Sequence, residues 1–353
     1  SANDTDSGTV AYTGAGAIQE YGGVDYNDLE VAAGATIGAG VSIGVAGNLT
    51  VVPGGSIVAS GAGSVTAGTG AALTGDGSIS VADGNLTVTA GGLSLGGTGA
   101  VQSSGAGSII VNADGLTWSG ASSSSITCSG SGDVTITGDL TQASGASGAI
   151  ALAGGDFYVS GAAVLYHATT PQIRSTTGSL TFGGAVTINA ASALQGIGVQ
   201  FDDALTLAGG NLTVTAGTGA ATFTGLVTID AFDLTVASSG VATISGGVSG
   251  TTGDVDIVAT TRTDVDGAIT LTGVGTIQLD RALVSGVNVT TAGGNIAFDG
   301  AASTDIGLVE VQSGGGDVLF NNALGLGGGL TVTAGAITIS GAVSGAQALT
   351  LTS

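Results

Sequence analysis

The feature that most limits what this chain can fold into is a short phrase that keeps returning. Asn85-Leu-Thr-Val-Thr-Ala-Gly-Gly92 recurs as Asn211-Leu-Thr-Val-Thr-Ala-Gly-Thr218 and as Leu330-Thr-Val-Thr-Ala-Gly335, with looser copies at 48–52, 133–137, 185–188, 226–229 and 336–339. Each copy alternates apolar and polar residues over four or five positions, then breaks at glycine. Period-two alternation between glycines predicts a short strand with one buried face. Leu86 and Val88 should point inward, and the same parity buries Ile150/Leu152, Leu180/Phe182, Leu205/Leu207, Ile269/Leu271, Ile296/Phe298 and Val318/Phe320. Helical spacing is absent, so the chain reads as all-β. Units of near-identical sequence fit near-identical environments, which favours stacked coils over a sandwich. Hairpin signals are few, Asp83-Gly84 and Asp114-Gly115 being the clearest, which disfavours an antiparallel meander. The expected fold is a parallel β-helix, a β-solenoid with Gly-rich turns, right-handed by the usual chirality of parallel connections.

Composition closes off other classes. Of 353 residues 69 are glycine, against roughly 7% in ordinary chains, yet no strict three-residue period points to collagen. Three arginines face 25 acids, for a net charge of -22. A chain without lysine and with so few arginines cannot neutralise a row of phosphates, so nucleic acid is an improbable partner, and anionic lipid is disfavoured in the same way. One cysteine closes no intramolecular disulfide and holds no structural zinc. Disorder is a poor reading for a chain that is 43% hydrophobic and 8% charged. Val31 to Gly47, the most apolar stretch, is too short and too glycine-rich to span a membrane. Residues 1–30 hold six of the acids and precede a charge-free stretch from Val31 to Gly75. They are expected to be an acidic arm or cap, docking between subunits, ahead of a single solenoid domain over 31–353. Residues 8–19 could add a strand to a neighbour, and Ala348–Ser353 ends within a strand pattern open to such pairing.

The repeats at 85–92, 211–218 and 330–335 resemble those of glycine-rich bacterial surface proteins, the filamentous-haemagglutinin-like adhesins and autotransporter passengers. The resemblance covers most of the chain from about residue 45. It implies a right-handed β-helix, a location outside the cell or on its surface, and work as a stalk or adhesive surface. It brings no catalytic residues.

Few residues suggest chemistry. Asp202-Asp203, Asp254/Asp256, Asp264/Asp266 and Asp280-Arg281 could pair carboxylates as a glycan-cleaving site requires, but the chain lacks the basic groove an anionic polysaccharide needs. They are expected to be solvated turn and face acids, and His167 to be structural. No catalysis and no organic cofactor is expected. Calcium is the candidate metal, because Glu20, Asp25, Asp28 and Glu30 fall within 11 residues and hard cations take several carboxylate oxygens. Cys128 and Trp118 have inward parity and read as core. Thr-x-Thr pairs at 87/89, 135/137, 213/215, 222/224, 270/272, 331/333 and 350/352 suit exposed strand positions. Asn48, Asn85, Asn211 and Asn288 sit in N-x-T sequons. The expected function is a secreted structural subunit that stacks with itself into a filament, sheath or matrix fibre. The alternative is a segment of a cell-surface adhesin meeting surface or matrix glycans; a polysaccharide-active enzyme ranks below both.

Overall fold

A computed structural model describes residues 8–20, 25–166, 172–305 and 307–353. Among these residues there is no helix; 48 short strands are joined by tight corners. The chain divides into two compact units, 1–184 and 185–353. Each is a β-solenoid whose strands lie in three parallel sheets, numbered here in the order the chain visits them.

In the first unit, sheet one runs from Thr9–Tyr12 through Asp28–Val31 and Asn48–Val51 to Ala163–Leu165. Sheet two runs from Gly16–Ala17 to Ile173–Ser175, and sheet three from Ser42–Val45 to Leu180–Phe182. In the second unit the sheets start at Val186–Ile188, Ser192–Gly196 and Val199–Phe201 and reach Leu349–Thr352, Ala336–Ile339 and Val343–Gly345. Paired residues are from 19 apart, as Thr9 and Asp28, to 25 apart, as Val101 and Ile126. One coil therefore takes about 19 to 25 residues, and the closest copies of the repeat, at 85, 211 and 330, lie several coils apart.

The parity read from the sequence sets the core. Leu86, Val88, Ile150, Leu152, Leu180, Phe182, Leu205, Leu207, Ile269, Leu271, Ile296, Phe298, Val318 and Phe320 are all buried. Each fully buried Leu, Ile, Val or Phe contributes about 1.5–3 kcal/mol relative to exposure. Parallel in-register pairing stacks like on like, and the phenylalanines show it most clearly. Phe201 stacks on Phe223 at 5.1 Å and Phe298 on Phe320 at 4.8 Å between ring centres.

Two further ladders run along the corners. Gly63, Gly84, Gly107, Gly132, Gly155 and Gly178 occupy one corner of successive coils in the first unit. From Gly84 onward, a Cβ on each would overlap the carbonyl oxygen of the glycine one coil before. The abundance of glycine is thus largely a matter of close approach between backbones. The residue after each of these glycines is Ser64, Asn85, Ser108, Asp133, Asp156 or Ser179. Its side-chain oxygen accepts the backbone N–H of its equivalent in the next coil: Ser108 N to Asn85 Oδ1 at 2.8 Å, Asp156 N to Asp133 Oδ1 at 2.8 Å, Ser179 N to Asp156 Oδ1 at 2.7 Å. The second unit repeats the device at the corner entering sheet two. There Asn211, Asp233 and Asp254 accept from Asp233, Asp254 and Thr276, and Asn295 accepts from Asp317. The motif of a coil is glycine, then a short acceptor, then the alternating strand.

The expected boundary at residue 30/31 does not coincide with a structural one. Thr9–Tyr12 pairs with Asp28–Val31, which itself crosses that boundary, so both segments already belong to the ladder. Val10 and Tyr12 lie over Leu29 and Val31, and this alternation outweighs the acidic composition. Residues 1–7 lie outside the described residues.

Candidate functional site

The four carboxylates expected to bind calcium are not brought together; no three Asp, Glu, His or Cys side chains converge as a metal site among the described residues. Strand parity explains why. Asp25 is fully buried, and its Oδ2 accepts the Gly44 N–H at 2.7 Å. Asp28 and Glu30 share the opposite, outward parity of their strand, and Asp28 Oδ1 accepts the Asn48 N–H at 2.7 Å. Glu20 is exposed. Two of the four are thus engaged by the backbone of the next coil.

The acid pairs are engaged in similar ways. Asp203 Oδ1 accepts the Ala204 N–H at 2.7 Å, and Asp202 accepts from the Gln200 amide. Asp254 belongs to the corner ladder, whereas Asp256 is the first outward residue of the strand Val255–Ala259. Asp264 accepts from two of the three Arg262 guanidinium nitrogens, Nη2 at 2.9 Å to Oδ2 and Nε to Oδ1. Arg281 stands at a one-residue corner with φ +51°, its Nε 3.9 Å from Asp280.

Asp256 is the acid the sequence did not single out from its neighbours. Its Oδ1 is sealed from solvent and has no hydrogen-bond partner. Gln278, next to it in the ladder, donates instead to Asp299 Oδ2 at 2.7 Å, and Asn321 donates to Asp299 Oδ1 at 2.6 Å. Desolvation, helped by the charge of Asp299, pushes the Asp256 carboxyl above its ordinary range.

Cys128 is buried, paired between Ser103 and Leu152 along sheet two. Burial, with a smaller push from Asp133, raises its thiol to about 12, so it stays protonated and inert. Trp118 is buried and donates Nε1–H to Ser124 O at 2.9 Å. His167 lies outside the described residues.

The threonines are arranged differently from the Thr-x-Thr pairs of the sequence. In the second unit Thr187, Thr206, Thr228, Ser249, Thr270 and Thr290 form one unbroken outward file on sheet one, one hydroxyl per coil. The readable signal was a Thr or Ser directly after an apolar residue, returning every 19 to 22 positions. Among the sequons, Asn85 and Asn211 use their side-chain oxygens in the corner ladders, and Asn211 also donates to Asp233 Oδ2 at 2.8 Å.

No helix among the described residues is long and apolar enough to cross a membrane. Comparison with protein families, curated proteins and solved structures finds no match to this chain.

Proposed function

We propose that this chain is a structural protein of the extracellular space or cell surface, a β-solenoid that adds copies of itself end to end into a filament, sheath or matrix fibre. The observation that carries this reading is the parallel, in-register stacking of one coil on the next, like residue over like, a pattern that a coil of a second copy can continue. Among the described residues, Leu349–Thr352, Ala336–Ile339 and Val343–Gly345 each pair along one edge only, as does Thr9–Tyr12. Core-parity side chains lie open there. Val343 is 45% and Leu351 48% exposed, while Leu324 and Val332, one coil before, are 1% and 0%. Parallel edges of this kind are templates for another strand, and head-to-tail addition that does not close gives a fibre. The edge lacks the usual safeguards: residues 318–353 contain no charge and no proline.

The test is negative-stain electron microscopy of the purified chain, with calcium and with EGTA. Regular fibres in both, lost in a Val343→Lys, Leu351→Lys double variant that remains folded, support the reading. Isolated particles under both conditions refute it. They would favour the second reading, a segment of a longer surface adhesin, in which further coils of the same chain cover these edges.

A further inference from the structure

Sheet two of the second unit carries one acid whose surroundings do not balance. The strands Val255–Ala259, Ile277–Asp280 and Ile296–Asp299 follow one another in register, with Asp256 beside Gln278 and Asp280 beside Asp299. Successive strands of a sheet lie about 4.8 Å apart, so outward side chains of neighbouring coils are within reach of each other. Asp299 is well served: Gln278 Nε2 donates to its Oδ2 at 2.7 Å and Asn321 Nδ2 to its Oδ1 at 2.6 Å. Asp256 is not. Its Oδ1 is sealed from solvent and has no donor.

The cause is one amide placed between two carboxyls. A primary amide donates at its nitrogen and only accepts at its oxygen. The Gln278 nitrogen is turned forward to Asp299, two coils beyond Asp256, and the oxygen is the end left for Asp256. Turned over, the amide would serve Asp256 and set its oxygen toward Asp299, so neither orientation supplies both carboxyls. No basic side chain makes up the difference. The strands of sheet two in the second unit hold no lysine or arginine, and Arg281, at the corner just past Asp280, has its Nε 3.9 Å from that acid. Thr235 is the outward neighbour on the coil before. Asp233 and Asp254 sit at corners, where each accepts a backbone N–H of the following coil. A sealed acceptor left without a donor is costly, and the donor small enough to reach it is a proton.

We propose that Asp256, Gln278 and Asp299 form an acid-operated clasp, in which Asp256 takes one proton from solvent and donates it to Gln278 Oε1. The proton completes an unbroken line of hydrogen bonds from Asp256 through Gln278 to Asp299, across three coils. Its loss leaves two acceptors facing each other and the coils less firmly joined. Desolvation, and then the charge of Asp299, push the Asp256 carboxyl in the same direction, above its ordinary range. The stability contributed by the clasp is complete below the ordinary carboxylate value and is lost as pH rises through the raised folded one. Mild acid therefore tightens the second unit.

The test follows the carboxyl 13C resonances of the full chain, labelled at aspartate, as pH is varied; the Asp256 signal is the one missing from Asp256→Asn. In the parent it should titrate above the ordinary aspartate value of about 3.9. Gln278→Met keeps a side chain of similar length over the site but removes the accepting oxygen, and should lower that midpoint by about half a unit or more. Cover alone would hold the midpoint or raise it in this variant, because methionine is the less polar side chain. Asp299→Asn releases the amide nitrogen to Asp256 and should lower the midpoint as well. A parent midpoint at the ordinary value, or one unchanged or higher in Gln278→Met, overturns the proposal; if Gln278→Met does not fold, an unchanged midpoint in Asp299→Asn does so. The readout is a single carboxyl, so the result stands whether or not copies of the chain assemble.

Discussion

Gly132→Ala should be among the most damaging single substitutions in the first unit, although it adds one methyl group. Gly132 does not need a left-handed backbone; only Gly107, one coil before it, forbids a side chain, since a Cβ would overlap the Gly107 carbonyl. The obstacle is backbone and cannot rotate away. Relief requires the two coils to part locally, beside two bonds that join them: Ile109 N to Asp133 O at 2.9 Å and Asp133 N to Ser108 Oγ at 3.1 Å. Overpacking of this kind costs about 1–3 kcal/mol, and two weakened hydrogen bonds add about 1 kcal/mol each. The expected loss is about 3–5 kcal/mol. With a urea slope of about 1–3 kcal/mol/M, the midpoint should fall by about 1 M or more. The assay is urea unfolding followed by fluorescence of Trp118, which lies in the same unit. Gly14→Ala, in the same unit, is the control, because nothing lies within 4 Å of the added methyl and φ is not left-handed; it should be neutral or stabilising by up to about 1 kcal/mol. A Gly132→Ala midpoint equal to that of the parent would refute the claim that glycine is there for coil stacking.

Ala113→Gly should stabilise by up to about 1 kcal/mol in the same assay, since Ala113 is held at φ +59° where glycine pays no Cβ penalty. Asp133→Ala should cost about 1 kcal/mol by leaving Asp156 N–H without its acceptor, whereas Asp133→Asn, which keeps an oxygen in place, should cost less than half of that. Asp256→Asn should raise the melting temperature at pH 7 and not at pH 3. The folded carboxyl titrates above its unfolded value, so stability falls as pH rises through that window, and removing the charge matters only above it. Cys128 should resist a thiol reagent at pH 8 in the native protein and react at the rate at which the first unit opens, because burial holds the thiol protonated up to about 12.

The core was legible because period two needs only local information. Leu86 and Val88 declare their faces without reference to any other coil, and so do Trp118 and Cys128. What was not legible depends on which residue lies over which, and coil length is not constant. Asn85, Ser108 and Asp133 form one ladder at intervals of 23 and 25 residues, so no fixed period marks them. The supposed pair Asp254/Asp256 shows the consequence. Two residues apart in sequence, they suggest one shared face, yet Asp254 ends a corner and bonds to the next coil while Asp256 lies within a strand. The acids from Glu20 to Glu30 are near along the chain and yet not gathered into one group, because Asp25 is buried, Asp28 and Glu30 face outward, and backbone N–H groups of the next coil engage Asp25 and Asp28.

Edge pairing alone is promiscuous, since any extended strand offers the same backbone groups. The corners make it selective. A segment laid over Ala336–Ile339 and Val343–Gly345 must turn above the backbone at Gly341, itself pressed against Asn322 and Ala323 of the coil before so that no Cβ fits. The coil before carries Asn322 at the equivalent place, so glycine is not needed in every coil; what is needed is a short corner that keeps both strands in the register of the coil beneath. Coils of this chain have such corners, whereas an unrelated β-rich segment supplies only an extended strand. On the assembly proposed above, that condition favours another copy of the same sequence over a foreign strand.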